Sequence, residues 1–328
     1  MIQKFDTKKF LSENSIWLVL IALCIFMAFT SPFFLTQRNI TNLLTSEAIK
    51  GIMAVGVMFT ILSKGIDLST SGVLAFSAVI SASLVQEINA TNKVFEGMYP
   101  TVPIVAVLAG LAVGLVFGLV NGSLIAYTKI PAFIATLGTM LITRALAQLY
   151  TNAFPVPMLT QGFRNIGQGA WFLGIPNVVM AFLIVLAIGG FLLTQTRYGK
   201  NVYAIGGNEM AARVAGINVE KNLVKVYVFS SMCAALAGVL LAARAGSGNS
   251  NLGMGFELDA IAAVTVGGVS HSGGIARITG VIAGILLLGV VNNGLLLLGV
   301  SPYIQNVVRG AIIIGAVVFD MRKNAKRA

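Results

Sequence analysis

Run after run of apolar residues, most of them long enough to cross a bilayer, dominates this chain. The runs fall at 17–34, 45–63, 72–85, 102–127, 132–150, 177–193, 223–243, 258–270, 278–298 and 304–319. A hydrocarbon core roughly 30 Å thick needs about 20 such residues in a helix. The chain is 57% hydrophobic and only 10% charged, with a mean hydropathy of +0.89. A soluble domain carries about 25% charged residues, so this one could not cover a water-facing surface. We read an all-α polytopic membrane protein of about ten transmembrane helices, one transmembrane domain over 1–328. The runs are continuous and do not alternate, which argues against a β-barrel.

Sidedness follows from the basic residues. With the N-terminus inside, Lys4, Lys8, Lys9, Lys64, Lys129, Arg197, Lys200, Arg213, Lys221, Lys225, Arg277, Arg322, Lys323, Lys326 and Arg327 fall on inner segments. The outer segments receive only Arg38, Lys50, Lys93, Arg164 and Arg244. Lys and Arg collect in cytoplasmic loops, so both termini are expected in the cytoplasm. The net charge of +11 is explained the same way, and no nucleic-acid-binding pattern accompanies it. The first apolar run is too long for a signal-peptide core and is read as a retained span. Cys24 and Cys233 lie within apolar runs and read as small hydrophobes.

Two runs, 72–85 and 258–270, are short for a crossing, and each abuts a polar, glycine-bearing turn: GIDLSTSG at 65–72 and GGVSHSGG at 267–274. Interrupted spans in corresponding halves point to a transport site, because broken backbone at membrane depth must line a cavity or be buried in protein. A re-entrant or truncated helix with a packing role is the competing reading. A weak repeat, GLVNGSLIAYTKIP at 118–131 and GVVNNGLLLLGVSP at 289–302, suggests two inverted five-helix halves. Gly110, Gly114, Gly118 and Gly122 recur every four residues and predict a close helix–helix seam.

Catalytic signatures are missing. His271 has no Cys or carboxylate at metal spacing, so no metal site is expected. Gly199-Lys200 is followed by Asn201 and lacks the upstream glycine of a phosphate-binding loop, so the chain is expected to bind no nucleotide itself. Asp67, Glu47, Glu257 and Asp259 read as lying near span ends, which weakens self-contained ion-coupled transport. Asp67 and Ser69 read as a structural turn. Within spans, Asn121, Thr136, Thr139, Asn292 and Asn293 could exchange hydrogen bonds with a hydroxyl-rich solute, though such groups more often join helices. Arg144 and Arg309 are expected to pair with carbonyls or snorkel.

The segment 194–222 interrupts the apolar pattern with ordinary soluble character. It should be a cytoplasmic loop that touches something. Asn208 can cap a short helix, with Glu209 at its positive end and Arg213 one turn later. Ala211 and Ala212 lie within it, and Gly216 suits its left-handed end. Arg197, Gly199 and Lys200 precede it. So short a helix needs a surface to pack on, either its own spans or a groove on a partner.

TRYGKNVYAIGGNEMAARVAGINV within this segment resembles the coupling segment of permease subunits of bacterial sugar ABC importers, the ribose, arabinose, xylose and galactose group. GIDLS at 65–69, NLGMGFELDAIAAVTVGGVSHSGG at 251–274 and SPYIQNVVRGAIIIGAVVFD at 301–320 look like the same family. NKVF at 92–95 and the residues 251–263 look most like its galactose and methyl-galactoside branch. The resemblance implies a vitamin B12-importer-like (type II) permease in the bacterial inner membrane, present as two copies. It implies a separate cytoplasmic ATPase that holds ATP and Mg, and a periplasmic sugar-binding protein. The chain itself would be no enzyme and carry no cofactor. An ion-coupled or passive secondary carrier, and a branched-chain amino acid permease of the same broad superfamily, stay open as alternatives.

Overall fold

A computed structural model describes residues 15–171 and 174–325. Lys4, Lys8, Lys9, Lys326 and Arg327, used above for sidedness, lie outside the described residues. In chain order the helices are α1 (Ser15–Thr30), α2 (Gln37–Leu62), α3 (Thr70–Ser83), α4 (Pro103–Thr128), α5 (Ala132–Tyr150), α6 (Gln161–Gln168), α7 (Asn177–Gln195), α8 (Arg197–Gly207), α9 (Glu209–Val214), α10 (Val219–Ala245), α11 (Phe256–Val266), α12 (Ile278–Leu297) and α13 (Pro302–Ala325). No strand occurs among the described residues; isolated bridges such as Val156–Gly248 join loops.

Every apolar run is helical, but only seven of these helices are long and apolar enough to cross a membrane: α2, α4, α5, α7, α10, α12 and α13. α1 and α3 are shorter apolar helices of 16 and 14 residues, and α11 has 11. α1 ends at Thr30, before Ser31-Pro32, because the residue before proline disfavours helical backbone.

The core is built on α2 and α10, whose apolar windows are 83% and 72% buried, against 0% for α13. The glycine seam lies on α4 and faces α10. A methyl group on Gly118 would lie 2.6 Å from Val228 Cα, and one on Gly122 would lie 2.7 Å from Val224 Cα. Only glycine lets the two backbones meet this closely. Dispersion between them replaces the hydrophobic drive that lipid cannot supply.

α3 and α11 are half-helices that run in opposite directions. The start of α3 and the end of α11 share one end of the molecule, because Gly274 N–H donates to Leu62 O at 3.0 Å. We call this the loop end. At the far end, Gly248 pairs with Val156, and a methyl on Gly248 would lie 2.6 Å from Ala82 Cβ of α3. The turns 65–72 and 267–274, read above as counterparts, therefore lie on the same side. Gly65-Ile66-Asp67-Leu68-Ser69 leads into α3 at the loop end, and Gly255-Phe256-Glu257-Leu258-Asp259 opens α11 from the far end. Each puts a glycine and buried carboxylate chemistry at the N-terminus of its half-helix.

Candidate functional site: the loop end and two buried polar clusters

The soluble-looking segment folds into two helices. Thr196 caps α8, its hydroxyl accepting from Gly199 N–H at 3.1 Å. A side chain at Gly199 would run into the carbonyls of Leu192 and Leu193, so the sharp turn from α7 into α8 requires glycine. α8 was not anticipated from the sequence, although Tyr198, Val202 and Ile205 at helical spacing carried the signal. Val202, Ile205 and Gly206 face inward, whereas Arg197 and Lys200 are exposed.

α9 is the capped helix expected at 209–215. Asn208 Oδ1 accepts from Ala211 N–H at 2.9 Å, and Gly216 takes the left-handed conformation at φ +80°. Ala212 is buried with Ile205 and Val219, so one face of α9 packs on its own chain. The other face does not: Met210 is 70% exposed and Val214 84%. Arg213 Nη2 binds Glu209 at 2.9 Å and also Glu220 at 2.6 Å. Glu220 in turn binds Lys129 at 3.1 Å. The Glu220 and Glu209 carboxylates hold the Arg213 guanidinium above its ordinary pKa.

α8 rests on both loop-end turns. Lys64 Nζ donates to Gly207 O at 3.3 Å, and Tyr203 hydroxyl donates to Ala276 O at 2.8 Å. A methyl group at Gly206 would lie 2.6 Å from Gly274 N and would collide with Leu62 O.

The first buried cluster holds the turn before α3. Asp67 is fully buried. Its carboxylate accepts from Ser69 N–H at 3.0 Å, from the Ser69 hydroxyl at 2.5 Å and from the Ser230 hydroxyl of α10 at 2.7 Å. Asn121 Nδ2 donates to Ser69 Oγ at 2.9 Å, and Thr139 hydroxyl donates to Asn121 Oδ1 at 2.6 Å. Thr136 hydroxyl accepts from Leu68 N–H at 3.1 Å. Asn121, Thr136, Thr139, Asp67 and Ser69 thus form one network among α3, α4, α5 and α10. Asn293 is elsewhere, exchanging two amide bonds with Asn39 at 2.8 and 3.0 Å; Asn292 is half-buried beside it.

The second cluster was not anticipated. Glu47, Lys50 and Asp259 are buried, and Arg309 completes the set. Lys50 Nζ lies 2.9 Å from Glu47 Oε1 and 3.4 Å from Asp259 Oδ2; Arg309 Nε lies 3.0 Å from Asp259 Oδ1. The Phe256 ring centroid is 5.5 Å from the ammonium. The four formal charges sum to zero, which is what allows them to be buried. Their depth is set by packing: a methyl on Gly289, midway along α12, would lie 2.9 Å from Glu47 Cδ. The sequence reading placed Lys50 in an outer segment and Glu47 near a span end. α2 in fact begins at Gln37 and carries both residues into the interior. Arg309 pairs with a carboxylate rather than with carbonyls, while Arg144 does bond a carbonyl, Ser250 O at 2.7 Å.

The family model described as the branched-chain amino acid transport system / permease component matches residues 39–317. The chain belongs to this family of transport permeases. This permease is 42% identical to the galactose/methyl galactoside import permease protein MglC of Escherichia coli K12, over 97% of its own length and 96% of the relative's. It is 41% identical to the ribose import permease protein RbsC of the same strain, over 98% and 97%. It is also 41% identical to RbsC of Bacillus subtilis 168, over 94% and 92%. No solved structure matches it significantly. The permease is therefore a multi-pass membrane protein of a transport system.

Proposed function

We propose that this chain is the membrane subunit of an ATP-driven ABC importer that carries a monosaccharide, galactose, a methyl galactoside or ribose, into the cytoplasm. The observation that carries the reading is the end-to-end identity of 41–42% with permeases named for those sugars. On this reading the loop end faces the cytoplasm, and so do both termini. The apolar helices make up ten crossings, counting α1, α3 and α11, in two inverted halves of the type II plan. Two copies form the channel, and a periplasmic sugar-binding protein docks on the far end.

A separate cytoplasmic ATPase binds ATP and Mg and receives α8 and α9. Arg197, Lys200, Asn208, Glu209, Ala211 and Arg213 form that surface, with Gly199, Ala212 and Gly216 shaping it. Met210 and Val214 suit an apolar groove, since exposed apolar side chains at the tip of a short capped helix gain burial only on a partner. Asn121, Thr136, Thr139, Asn292 and Asn293 are retained as candidates along the sugar's route. In Asn121, Thr136, Thr139 and Asn293, the hydrogen bonds already made within the chain would have to exchange.

The test is reconstitution of the permease with its ATPase and binding protein in liposomes. Labelled galactose and ribose should enter only with ATP inside the ATPase-facing compartment. Uptake that follows an ion gradient without ATP would overturn the reading. The family description names branched-chain amino acids, so leucine is the control cargo; leucine uptake in place of sugar would move the permease to that branch.

A further inference from the structure

α13 is held unlike any other long helix in the chain. No residue of its apolar window is fully buried, and Tyr303, Val307, Ile314 and Phe319 are exposed along it. Lipid is as apolar as these side chains, so the apolar contacts of Ile312 and Ile313 with the core hold the helix without fixing its register. Two polar tethers add that, and both lead to α11 or to the turn that follows it. In the first third of the helix, Arg309 Nε reaches Asp259 Oδ1 at 3.0 Å. Toward the loop end, Asp320 Oδ2 accepts from His271 N–H at 2.9 Å and from the Ser270 hydroxyl at 3.2 Å.

The turn that carries the second tether is the one that meets α8. Its far edge accepts the Tyr203 hydroxyl at Ala276 O, 2.8 Å away, and Gly274 packs against Gly206. The turn is braced from within. Ser270 N–H donates to Ile275 O at 3.0 Å, Gly273 N–H to Ser270 O at 3.0 Å, and His271 Nε2 lies 2.7 Å from Thr265 Oγ1 of α11. A directional hydrogen bond at each boundary, with a braced turn between, transmits a push; apolar side chains sliding past one another do not.

We propose that the turn 267–277 is a relay from α8 to α13, and that Tyr203, His271 and Asp320, with the Asp259–Arg309 pair, are its positioning contacts. A displacement of α8 then moves α11 and α13 as one unit. This rests on the reading of α8 and α9 as the ATPase-facing element. It adds that force leaves that element through residues far from it in sequence, and that it ends on the last helix.

The experiment uses the full complex in liposomes, with uptake and ATP hydrolysis measured on the same vesicles. Tyr203→Phe, Asp320→Leu and Arg309→Met should still assemble and should still hydrolyse ATP faster with loaded binding protein. Uptake per ATP should fall roughly fivefold or more, the lower range of measured coupling between sites. Asp320→Glu and Arg309→Lys, which keep the charge, should recover most of it. Unchanged uptake per ATP in Tyr203→Phe and Asp320→Leu would overturn the relay, and so would parallel loss of uptake and hydrolysis. Should Arg309→Met fail to assemble, the other two variants decide. ATP-independent uptake by the unaltered complex would instead defeat the functional reading, and the relay with it.

Discussion

Lys50 Nζ sits between two carboxylates from different helices, 2.9 Å from Glu47 and 3.4 Å from Asp259. Glu47 shares α2 with the lysine, whereas Asp259 opens α11. The ammonium is therefore the centre of a neutral buried cluster whose other cation, Arg309, comes from α13.

Lys50→Met leaves two buried carboxylates with one cation. Breaking a buried pair by removing one partner costs about 3–5 kcal/mol, so the variant should express poorly and melt early in detergent. Glu47→Gln combined with Lys50→Met keeps the cluster neutral and should regain much of that loss. A double variant as unstable as the sum of the singles would show that the two charges do not compensate each other.

Gly118→Leu places a side chain against the Val228 backbone on the α4–α10 seam. Overpacking costs about 1–3 kcal/mol, and here backbone has to move. A lower melting temperature and reduced membrane levels are expected. Gly138→Ala on α5 is the control, since a methyl there meets nothing within 4 Å.

Asp67→Asn replaces one of the two carboxylate oxygens with an N–H donor, although those oxygens accept three hydrogen bonds between them. One unmade buried bond costs about 1–3 kcal/mol. Folded protein should be less abundant, while uptake per folded molecule is kept. Normal abundance with selective loss of uptake would assign Asp67 a part in transport instead.

Gly216→Val forces a β-branched residue into φ +80°, a conformation that costs about 1–2 kcal/mol for an L-residue. No atom lies within 4 Å of a methyl there, so membrane insertion should survive. The angle at which α9 leaves toward α10 should change, and sugar uptake per ATP should fall. Unchanged uptake would count against α9 as the ATPase-facing element.

Arg213→Glu sets three carboxylates side by side where the guanidinium now joins Glu209 and Glu220. The site is at the surface, so abundance should hold. Binding of the ATPase to the permease, measured by co-purification, should weaken and become more sensitive to salt. Binding equal to that of the unaltered chain would remove Arg213 from the docking surface.

Much of this protein is legible in its sequence. The Asn208 cap, the Glu209–Arg213 pair and the Gly216 terminus all act within one turn of α9, so local spacing reveals them. The α4 seam was legible because its four glycines share one helix face. α8 was missed because glycines and polar residues dilute its apolar stripe. It forms because Val202, Ile205 and Gly206 find the loop-end turns beneath them.

What the sequence determined by itself was the class and the segments. Apolar runs of spanning length and a dearth of charge leave helices in a bilayer as the stable solution, since backbone polar groups in hydrocarbon must bond within the segment. The tertiary structure decided which distant residues share an interior. Glu47, Lys50, Asp259 and Arg309 look like separate liabilities along the chain, and only the packing shows that 65–69 and 255–259 open two oppositely directed helices. These four charges stay buried because they cancel, and whether they cancel depends on how α2, α11 and α13 pack.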